Sequence, residues 1–135
     1  EEEWEYAARG GSASKNTYFS YSGSNNLGSV AWYYVSAGSK NHPVGAKKAN
    51  QLGIYDMTGN VSEWCQDTWK PYPCDSKTSA DSRDRVYRGG SWSYTAPYCR
   101  AAYRTGNGAA YRSGGVGFRL VSVSLQLTGG PDGIH

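Results

Sequence analysis

The residues of this chain that could do nucleophilic or redox chemistry are, first of all, its three cysteines, Cys65, Cys74 and Cys99. Cys99 stands next to Arg100, and a neighbouring positive charge can make a thiol reactive. A free cysteine is more often a small buried core residue. We therefore expect Cys99 to be a buried structural thiol. Packing of Cys99 against Cys65 and a disulfide between Cys65 and Cys74 are both open, because spacing alone does not decide pairing.

Two carboxylates stand close together in residues 56–63, where Asp56 and Glu63 flank the turn-forming Gly59. A hard cation such as calcium prefers carboxylate and carbonyl oxygens. Carboxylates in loops are also common without a metal, and they then pair with arginines or cap backbone amides. The segment is compatible with a calcium site or with two structural carboxylates.

A third set of candidate residues lies in a run that is rich in Tyr, Ser, Gly, Thr and Asn. Antibody binding loops share this composition, because Tyr gives a large contact area at low entropy cost while Ser, Gly and Asn hydrogen-bond adaptably. We expect a ligand to contact Ser93, Tyr94, Thr95, Tyr98, Tyr103, Thr105, Gly106, Asn107, Gly108, Tyr111, Ser113, Gly114 and Gly115.

The same run carries a signal from the genetic code. Random replacement of the two adenines of an Asn codon cannot produce Lys, Glu, Gln, Met or Trp. None of these five residue types occurs between Ser93 and Val116, although the rest of the chain uses all of them. The pattern resembles the variable repeat of proteins that retroelements diversify by mutagenising adenines.

Composition and charge argue against several other classes of protein. The net charge of +3 and the isoelectric point of about 8.8 are too mild to indicate nucleic-acid binding. The recurring arginines are better explained as fork-shaped donors that tie irregular loops together. His42 and His135 have no Ser, Cys or Asp arrangement typical of a catalytic triad. No run has the length of a transmembrane helix, and no signal peptide or lipid-attachment motif is visible.

The 135 residues are enough for one domain, and 18 Gly, 12 Tyr and 5 Trp favour irregular backbone and aromatic packing over long helices. Acidic residues followed by Gly10 and Gly11 predict a helix over residues 1–9. The aromatic run over residues 30–35 is predicted to form either a short strand or one side of an aromatic core. Alternating apolar residues predict a terminal strand over residues 117–127.

Successive signatures carry a family resemblance over nearly the whole chain to about Val121: Glu-Trp-Glu-Tyr-Ala-Ala-Arg up to Arg9, His-Pro-Val-Gly from His42, Asp-Met-Thr-Gly-Asn-Val-Ser-Glu-Trp from Asp56, and Arg-Gly-Gly-Ser-Trp from Arg88. Their order and spacing are similar to the formylglycine-generating (sulfatase-modifying factor) family. The resemblance implies an α+β C-type lectin fold, irregular and loop-rich, with short antiparallel strands. Family domains open with further strands and a helix, so residues 1–127 are expected to be a C-terminal portion, with a variable region over about 85–121 and a tail over 128–135.

The resemblance also implies roles for individual residues. Family members that bind calcium at the third signature would place ligands at Asp56, at the carbonyls of Met57, Gly59 and Val61, and at Glu63. Trp64, Trp92 and Phe118 belong to the constant signatures and are expected in the core.

The enzymes of the family use two cysteines after Gly-Gly-Ser for a copper-dependent oxidation. Here the first of these positions is Tyr94 and the second is Cys99. A phenol is a poor ligand for a soft metal, so we expect no copper and no enzyme activity of this type. Calcium-dependent sugar binding is also disfavoured, because the Glu-Pro-Asn or Gln-Pro-Asp motif of sugar-binding lectins is absent.

The sequence as a whole predicts a retroelement-diversified binding protein, similar to the variable proteins of bacteria and phages. The expected partner is a protein on another cell or on a host, with no nucleic acid and no direct membrane insertion. The expected location is the cell surface or the extracellular space. The alternative is an oxidoreductase of the formylglycine-generating type, or a degenerate relative of one.

Overall fold

The computed structural model describes residues 1–72 and 83–122. In these ranges short regular elements are joined by long irregular segments. The helices are α1 (Glu2–Ala8) and α2 (Leu27–Val30), and the strands are β1 (Ser62–Thr68), β2 (Asp84–Arg88), β3 (Arg104–Gly108) and β4 (Val116–Gly117). Single 3₁₀ turns occupy Gly11–Ser14 and Ala96–Cys99. This confirms the α+β, loop-rich class that the sequence predicts.

The strands form one sheet in the order β3-β2-β1-β4. β1 and β2 are antiparallel, with Glu63 opposite Arg88, and their register becomes irregular between Trp64 and Thr68. β3 is antiparallel to β2, whereas β4 pairs parallel to β1 and so departs from the expected antiparallel pattern. The sheet joins residues 56–63, which we call the acidic segment and which end in β1, to the variable region, which contributes β3.

Helix α1 confirms the helix predicted over residues 1–9. Its first turn carries acidic side chains, which interact favourably with the helix dipole. The helix ends at Ala8 with Arg9 as its C-cap, and Gly10 follows with φ of 85°, a left-handed conformation that glycine adopts without steric cost.

Residues 30–35 do not form the predicted strand. Helix α2 ends at Val30, and Ala37 donates its backbone N–H to the carbonyl of Tyr33 over 2.8 Å. This turn places Tyr34 and Val35 at an exposed tip. Val30 does join the core, so the prediction of core residues in this stretch is correct only for its first part.

Within the described residues, most of the buried apolar side chains form two small clusters. One contains Leu27, Val30, Ala31 and Cys99, and the other contains Ala8, Met57 and Ala101. Partly buried aromatic side chains pack around both clusters, as the high Tyr and Trp content predicts.

Phe118 is not a core residue, so this prediction is wrong. The terminal strand pairs with β1 only at Val116 and Gly117, and after this point the side chains of Phe118, Leu120 and Val121 are exposed. The exposed fraction of Phe118 is 74%. Residues 123–127 of the predicted strand and the tail over 128–135 lie outside the described residues.

Trp64 and Trp92, which belong to the constant signatures and are expected in the core, are half-buried rather than fully buried. Trp64 meets the ring of Tyr87 edge-on, with 5.2 Å between the ring centroids. Trp92 donates its indole N–H to the carbonyl of Gly114 over 3.1 Å. Both therefore hold neighbouring segments together from the edge of the core.

Arg88 is the buried charge around which the helix and the sheet meet, with 1% of its surface exposed. Its guanidinium donates to the carboxylates of Glu1 and Glu5, at 2.5 Å each, and to the carbonyl of Ala101 at 2.8 Å. It also lies 5.2 Å from the ring centre of Trp4. One side chain of β2 thus fixes helix α1 and the segment before β3.

Arg104 extends this cluster into β3, because its guanidinium donates to both oxygens of Glu1 and to the carbonyl of Lys70. Burial alone would raise the pKa of the Glu1 carboxyl, but hydrogen bonds and charge from Arg104 and Arg88 outweigh it and hold that pKa below its usual range. Glu5 behaves in the same way: burial opposes a lowering of its pKa that Arg88 and Arg9 cause. Both groups favour folding while ionised.

Among residues 1–72 and 83–122, no helix has the length and hydrophobicity needed to cross a bilayer.

The depressed pKa of Glu5 makes a pH-dependent prediction. Its contribution to stability is present above the unfolded-state pKa, near 4.5, and is lost as the pH falls through the lower folded-state pKa. Glu5→Gln should therefore lower the free energy of unfolding at neutral pH by about 1 kcal/mol, a modest value because water partly screens the ion pair. Denaturant titrations of parent and variant should converge as the pH is lowered below 4.5.

Glu2→Gln is the matched control, since Glu2 lies on the same helix but is exposed. A gap between Glu5→Gln and the parent that stays constant down to acidic pH would contradict the assigned role of this ion pair.

Candidate functional site

A surface cavity of about 320 Å³ lies within the variable region, and we call it the tyrosine pocket. The residues that line it are Ser93, Tyr94, Thr95, Tyr98 and Tyr103. All five are among the predicted ligand contacts. The structure thus brings the N-terminal part of the predicted set together in one place.

Short backbone turns position the pocket residues. The N–H of Tyr94 donates to the carbonyl of Ser91 at 3.0 Å, and the N–H of Tyr98 donates to the carbonyl of Thr95 at 3.0 Å. Pro97 lies in the first turn of the 3₁₀ segment, where its missing N–H costs nothing. Local hydrogen bonds therefore fix the loop.

The three tyrosine rings of the pocket contact one another edge to face. The ring centroids of Tyr94 and Tyr98 are 5.9 Å apart, and those of Tyr98 and Tyr103 are 5.2 Å apart. These are favourable aromatic geometries. The exposed fraction of Tyr98 is 48%, so this ring is available to a ligand while its neighbours hold it.

Tyr94 is less exposed than the sequence suggests, because its ring packs against the cluster that contains Cys99. Burial raises the pKa of Tyr94, and a hydrogen bond with Tyr87 together with the nearby phenols of Tyr103 and Tyr111 raises it further. The phenol is therefore neutral at physiological pH. Tyr94 forms the inner wall of the pocket rather than a free contact residue.

The remaining predicted contacts occupy different environments. Thr105, Gly106, Asn107 and Gly108 form most of β3 and are partly buried, whereas Tyr111, Ser113 and Gly114 are exposed in the loop that follows. Gly115 is buried, and its carbonyl accepts a hydrogen bond from the N–H of Ser62 at 2.8 Å. The expectation that Gly115 faces a ligand is wrong, because this hydrogen bond makes it part of the sheet framework.

Gly106 also differs from the expectation, since the indole of Trp69 lies directly over it. A Cβ atom at position 106 would come within 2.5 Å of the Cβ and Cδ1 atoms of Trp69. These are near atoms of a stiff side chain, so they cannot move aside without displacing the whole indole. Sequence reasoning missed Trp69 because the contact depends on how β1, β2 and β3 align.

Cys65 and Cys99 do not form a reactive pair. Cys99 is fully buried, which confirms the expected structural thiol, and burial raises its pKa to about 12, so the thiol stays protonated. Cys65 is also a free thiol, but it lines a groove with Trp4 and Trp64 instead of packing against Cys99, so that alternative is wrong. Cys74 lies outside the described residues.

The acidic segment lines a second cavity, of about 510 Å³, to which Asp56, Val61 and Glu63 contribute. Asp56 has φ of 57°, and its Oδ2 atom accepts a hydrogen bond from the N–H of Gly45 at 2.7 Å. Its Oδ1 atom is buried and has no hydrogen-bond partner among the described residues. An unpartnered buried carboxylate oxygen is a favourable ligand for a hard cation.

Glu63 is already paired. Its Oε1 atom accepts from Nη2 of Arg119 at 2.7 Å, and its Oε2 atom accepts from the indole N–H of Trp4 at 2.8 Å. In the described part of the chain, no three His, Cys, Asp or Glu side chains are grouped to hold a metal, so calcium here would depend on backbone carbonyls such as those of Met57, Gly59 and Val61. Among the five predicted calcium ligands, Asp56 fits the role because one of its oxygens has no partner among the described residues. Glu63 fits it less well because both of its oxygens already accept hydrogen bonds.

The packing of Trp69 on Gly106 yields a stability prediction. Gly106→Ala should destabilise the fold by about 1–3 kcal/mol, because the added methyl group overpacks the contact. Gly108→Ala should change stability little, since the nearest atom to its Cβ would be 3.9 Å away. Thermal or denaturant unfolding of the two variants measures the difference.

Trp69→Ala combined with Gly106→Ala tests the cause of the effect. The cost of the alanine at position 106 should largely disappear once the indole is gone. An equal cost with and without Trp69 would show that the backbone of β3, and not the indole, requires glycine.

Two relatives of this chain match most of its sequence. The chain is 34% identical to the formylglycine-generating enzyme of Streptomyces coelicolor over 149 residues, covering 96% of the chain and 47% of that enzyme. It is 45% identical to a protein named chaperone protein LppX of Paenibacillus barcinonensis over 107 residues, covering 67% of the chain and 36% of the relative. The chain thus spans less than half the length of these two relatives.

Among solved structures, Treponema denticola variable protein 1 matches with a TM-score of 0.74 and 38% identity, over 86% of this chain and 43% of that one. This match confirms the fold subclass expected from the sequence. The sulfatase-modifying factor enzyme 1-like domain matches residues 1–123. The signatures, the fold and these matches together show that the chain belongs to the sulfatase-modifying factor enzyme 1-like family.

Proposed function

We propose that this chain is a ligand-binding scaffold that displays a variable, tyrosine-rich surface for a protein on another cell or on a host. The observation that carries the proposal is the tyrosine pocket, because five residues of the variable run line one surface cavity. Aromatic side chains with small hydroxyl residues around them are typical of binding surfaces. The likeness to a protein named Treponema denticola variable protein 1 supports the proposal that this surface is variable.

The mechanism is binding without rearrangement. The backbone N–H of Tyr34 donates to the carbonyl of Tyr94 at 2.9 Å, and that of Ala101 donates to the carbonyl of Ser20 at 2.9 Å, so both ends of the pocket loop are tied to the body of the domain. A loop that is already ordered loses little conformational entropy when it binds. The framework therefore lets the side chains change while the backbone stays in place.

The alternative function is an oxidoreductase of the formylglycine-generating type, which the similarity to the Streptomyces coelicolor enzyme favours. Two features of the pocket weigh against it. Tyr94 occupies the position of the first expected cysteine, and Cys99, at the second, is fully buried with a raised pKa. We therefore propose that this segment is not an oxidase and uses no copper, and that it acts at the cell surface or outside the cell, without nucleic acid.

We further propose that calcium stabilises the acidic segment through Asp56, the carbonyls of Met57, Gly59 and Val61, and Glu63. The support for this is the buried Oδ1 atom of Asp56, which has no partner within the described residues. Calcium at this place would fix the segment that leads into β1.

Calcium should raise the melting temperature of the parent, because a ligand that binds only the native state stabilises it, by about 2.7 kcal/mol at a hundredfold excess over the dissociation constant. Glu63→Gln should lose this response even though it retains the shape of the side chain. Glu3→Gln is the control, since Glu3 is exposed on α1. A parent with the same melting temperature in calcium and in chelator would contradict the calcium site and leave Glu63 as a structural partner of Arg119 and Trp4.

The binding function is tested by changing the exposed Tyr98 and Tyr111 together with the half-buried Tyr103. Replacing Tyr98, Tyr103 and Tyr111 by Ser, Thr, Asn or Asp should change the free energy of unfolding by only about 0.5 kcal/mol per exposed site. The same variants should lose or change their binding to a panel of candidate surface proteins, because aromatic anchors carry much of the energy of an interface.

Tyr94→Ser is the contrasting variant, and it should destabilise the fold because its ring packs against the core. Collapse of most of the Tyr98, Tyr103 and Tyr111 variants would show these rings to be architectural, and the display function would then be wrong.

A further inference from the structure

The segment of the chain that carries the tyrosine pocket is strongly asymmetric in charge. Residues 83–122 contain seven arginines and one acidic residue, Asp84. Three of these arginines pair with the carboxylates of Glu1, Glu5 or Glu63, and they are Arg88, Arg104 and Arg119. Their positive charges are compensated by these ion pairs.

Arg100 and Arg112 are different, because both are exposed and neither is in an ion pair within residues 1–72 and 83–122. Arg100 lies on the backbone between two pocket residues, and its carbonyl accepts the N–H of Tyr103 at 2.9 Å. Arg112 follows Tyr111, an exposed residue of the same predicted contact set. Along the chain, two arginines without an ion pair among the described residues therefore lie next to pocket residues or predicted contacts.

The pocket itself brings no negative charge. Its lining consists of neutral phenols, hydroxyl groups and ring surfaces, and the phenol of Tyr94 stays protonated because burial raises its pKa. A volume of about 320 Å³ is small for a ligand site and suits one side chain or a small group. The pocket offers hydroxyl donors and aromatic faces, and its surroundings offer guanidinium donors.

From this arrangement we infer that the surface binds an acidic segment of a partner protein, with one aromatic or aliphatic side chain of that segment in the tyrosine pocket and its carboxylates at Arg100 and Arg112. The inference rests on the proposed binding function and adds the chemistry of the partner. Arginine pairs with carboxylates through two parallel hydrogen bonds, and charge complementarity gives an interface its specificity and speeds association.

The test uses a random copolymer of glutamate and tyrosine as the acidic aromatic probe, with a lysine–tyrosine copolymer as its counterpart of opposite charge. The protein is immobilised and binding is measured by interferometry at physiological ionic strength. The glutamate–tyrosine copolymer should bind at least about tenfold more tightly than the lysine–tyrosine copolymer, and added salt should weaken it.

Two variants locate the charges responsible. Arg100→Gln and Arg112→Gln should each weaken binding of the glutamate–tyrosine copolymer by about fivefold or more while leaving the melting temperature unchanged. Lys15→Gln is the matched control: it removes one exposed positive charge outside the variable region and should change binding by less than about twofold. An equal effect of all three variants would mean that only net charge attracts the probe, and the inference would be overturned.

Further arms separate the inference from the proposed function. Absence of binding to the glutamate–tyrosine copolymer, or tighter binding of the lysine–tyrosine copolymer, would overturn the acidic preference. If the lysine–tyrosine copolymer bound in a way that required Tyr98 and Tyr103, the binding function would stand without that preference. Tighter binding of an oligothymidylate than of the glutamate–tyrosine copolymer would point to nucleic acid as the partner and would contradict both proposals.

Discussion

The buried guanidinium of Arg88 is the interaction on which the rest of the structure depends. A charge removed from water is tolerable only when it is paired and hydrogen-bonded, and removing its partners costs several kcal/mol. Arg88 meets this requirement with carboxylates from α1 and a carbonyl from the segment after the 3₁₀ turn. The helix, the central strand and the base of the variable region must therefore assemble together, which compensates for two small apolar clusters.

This arrangement separates the residues that stabilise the fold from the residues that line the tyrosine pocket. Most of the residues that hold the domain lie on or next to α1, β1 and β2, whereas those that line the tyrosine pocket lie on the turns and the 3₁₀ segment between β2 and β3. Surface side chains on a fixed loop can change at small cost. The boundary is not sharp, however, because Tyr94 contributes to the core and to the pocket at once.

Parts of the fold and of the candidate site could be predicted from sequence, because the sequence patterns that indicate them lie within short segments. Acidic residues and Gly10 define α1, and the composition of the variable run identifies the pocket residues. The errors concern contacts between distant segments. The sequence shows neither that Trp69 covers Gly106 nor that Gly115 bonds to Ser62, since both follow from strand pairing. Phe118 is apolar, but apolarity does not determine what covers a side chain.

The contact between Trp69 and Gly106 has a consequence for heredity. If position 106 is subject to adenine mutagenesis, every substitution of its glycine by another amino acid places a Cβ atom against the indole. Such offspring would be lost through poor folding before any partner could select them. The number of folded variants would then be smaller than the number of sequences that mutagenesis can produce. Selection against unfolded variants would keep glycine at position 106 even though neighbouring positions changed.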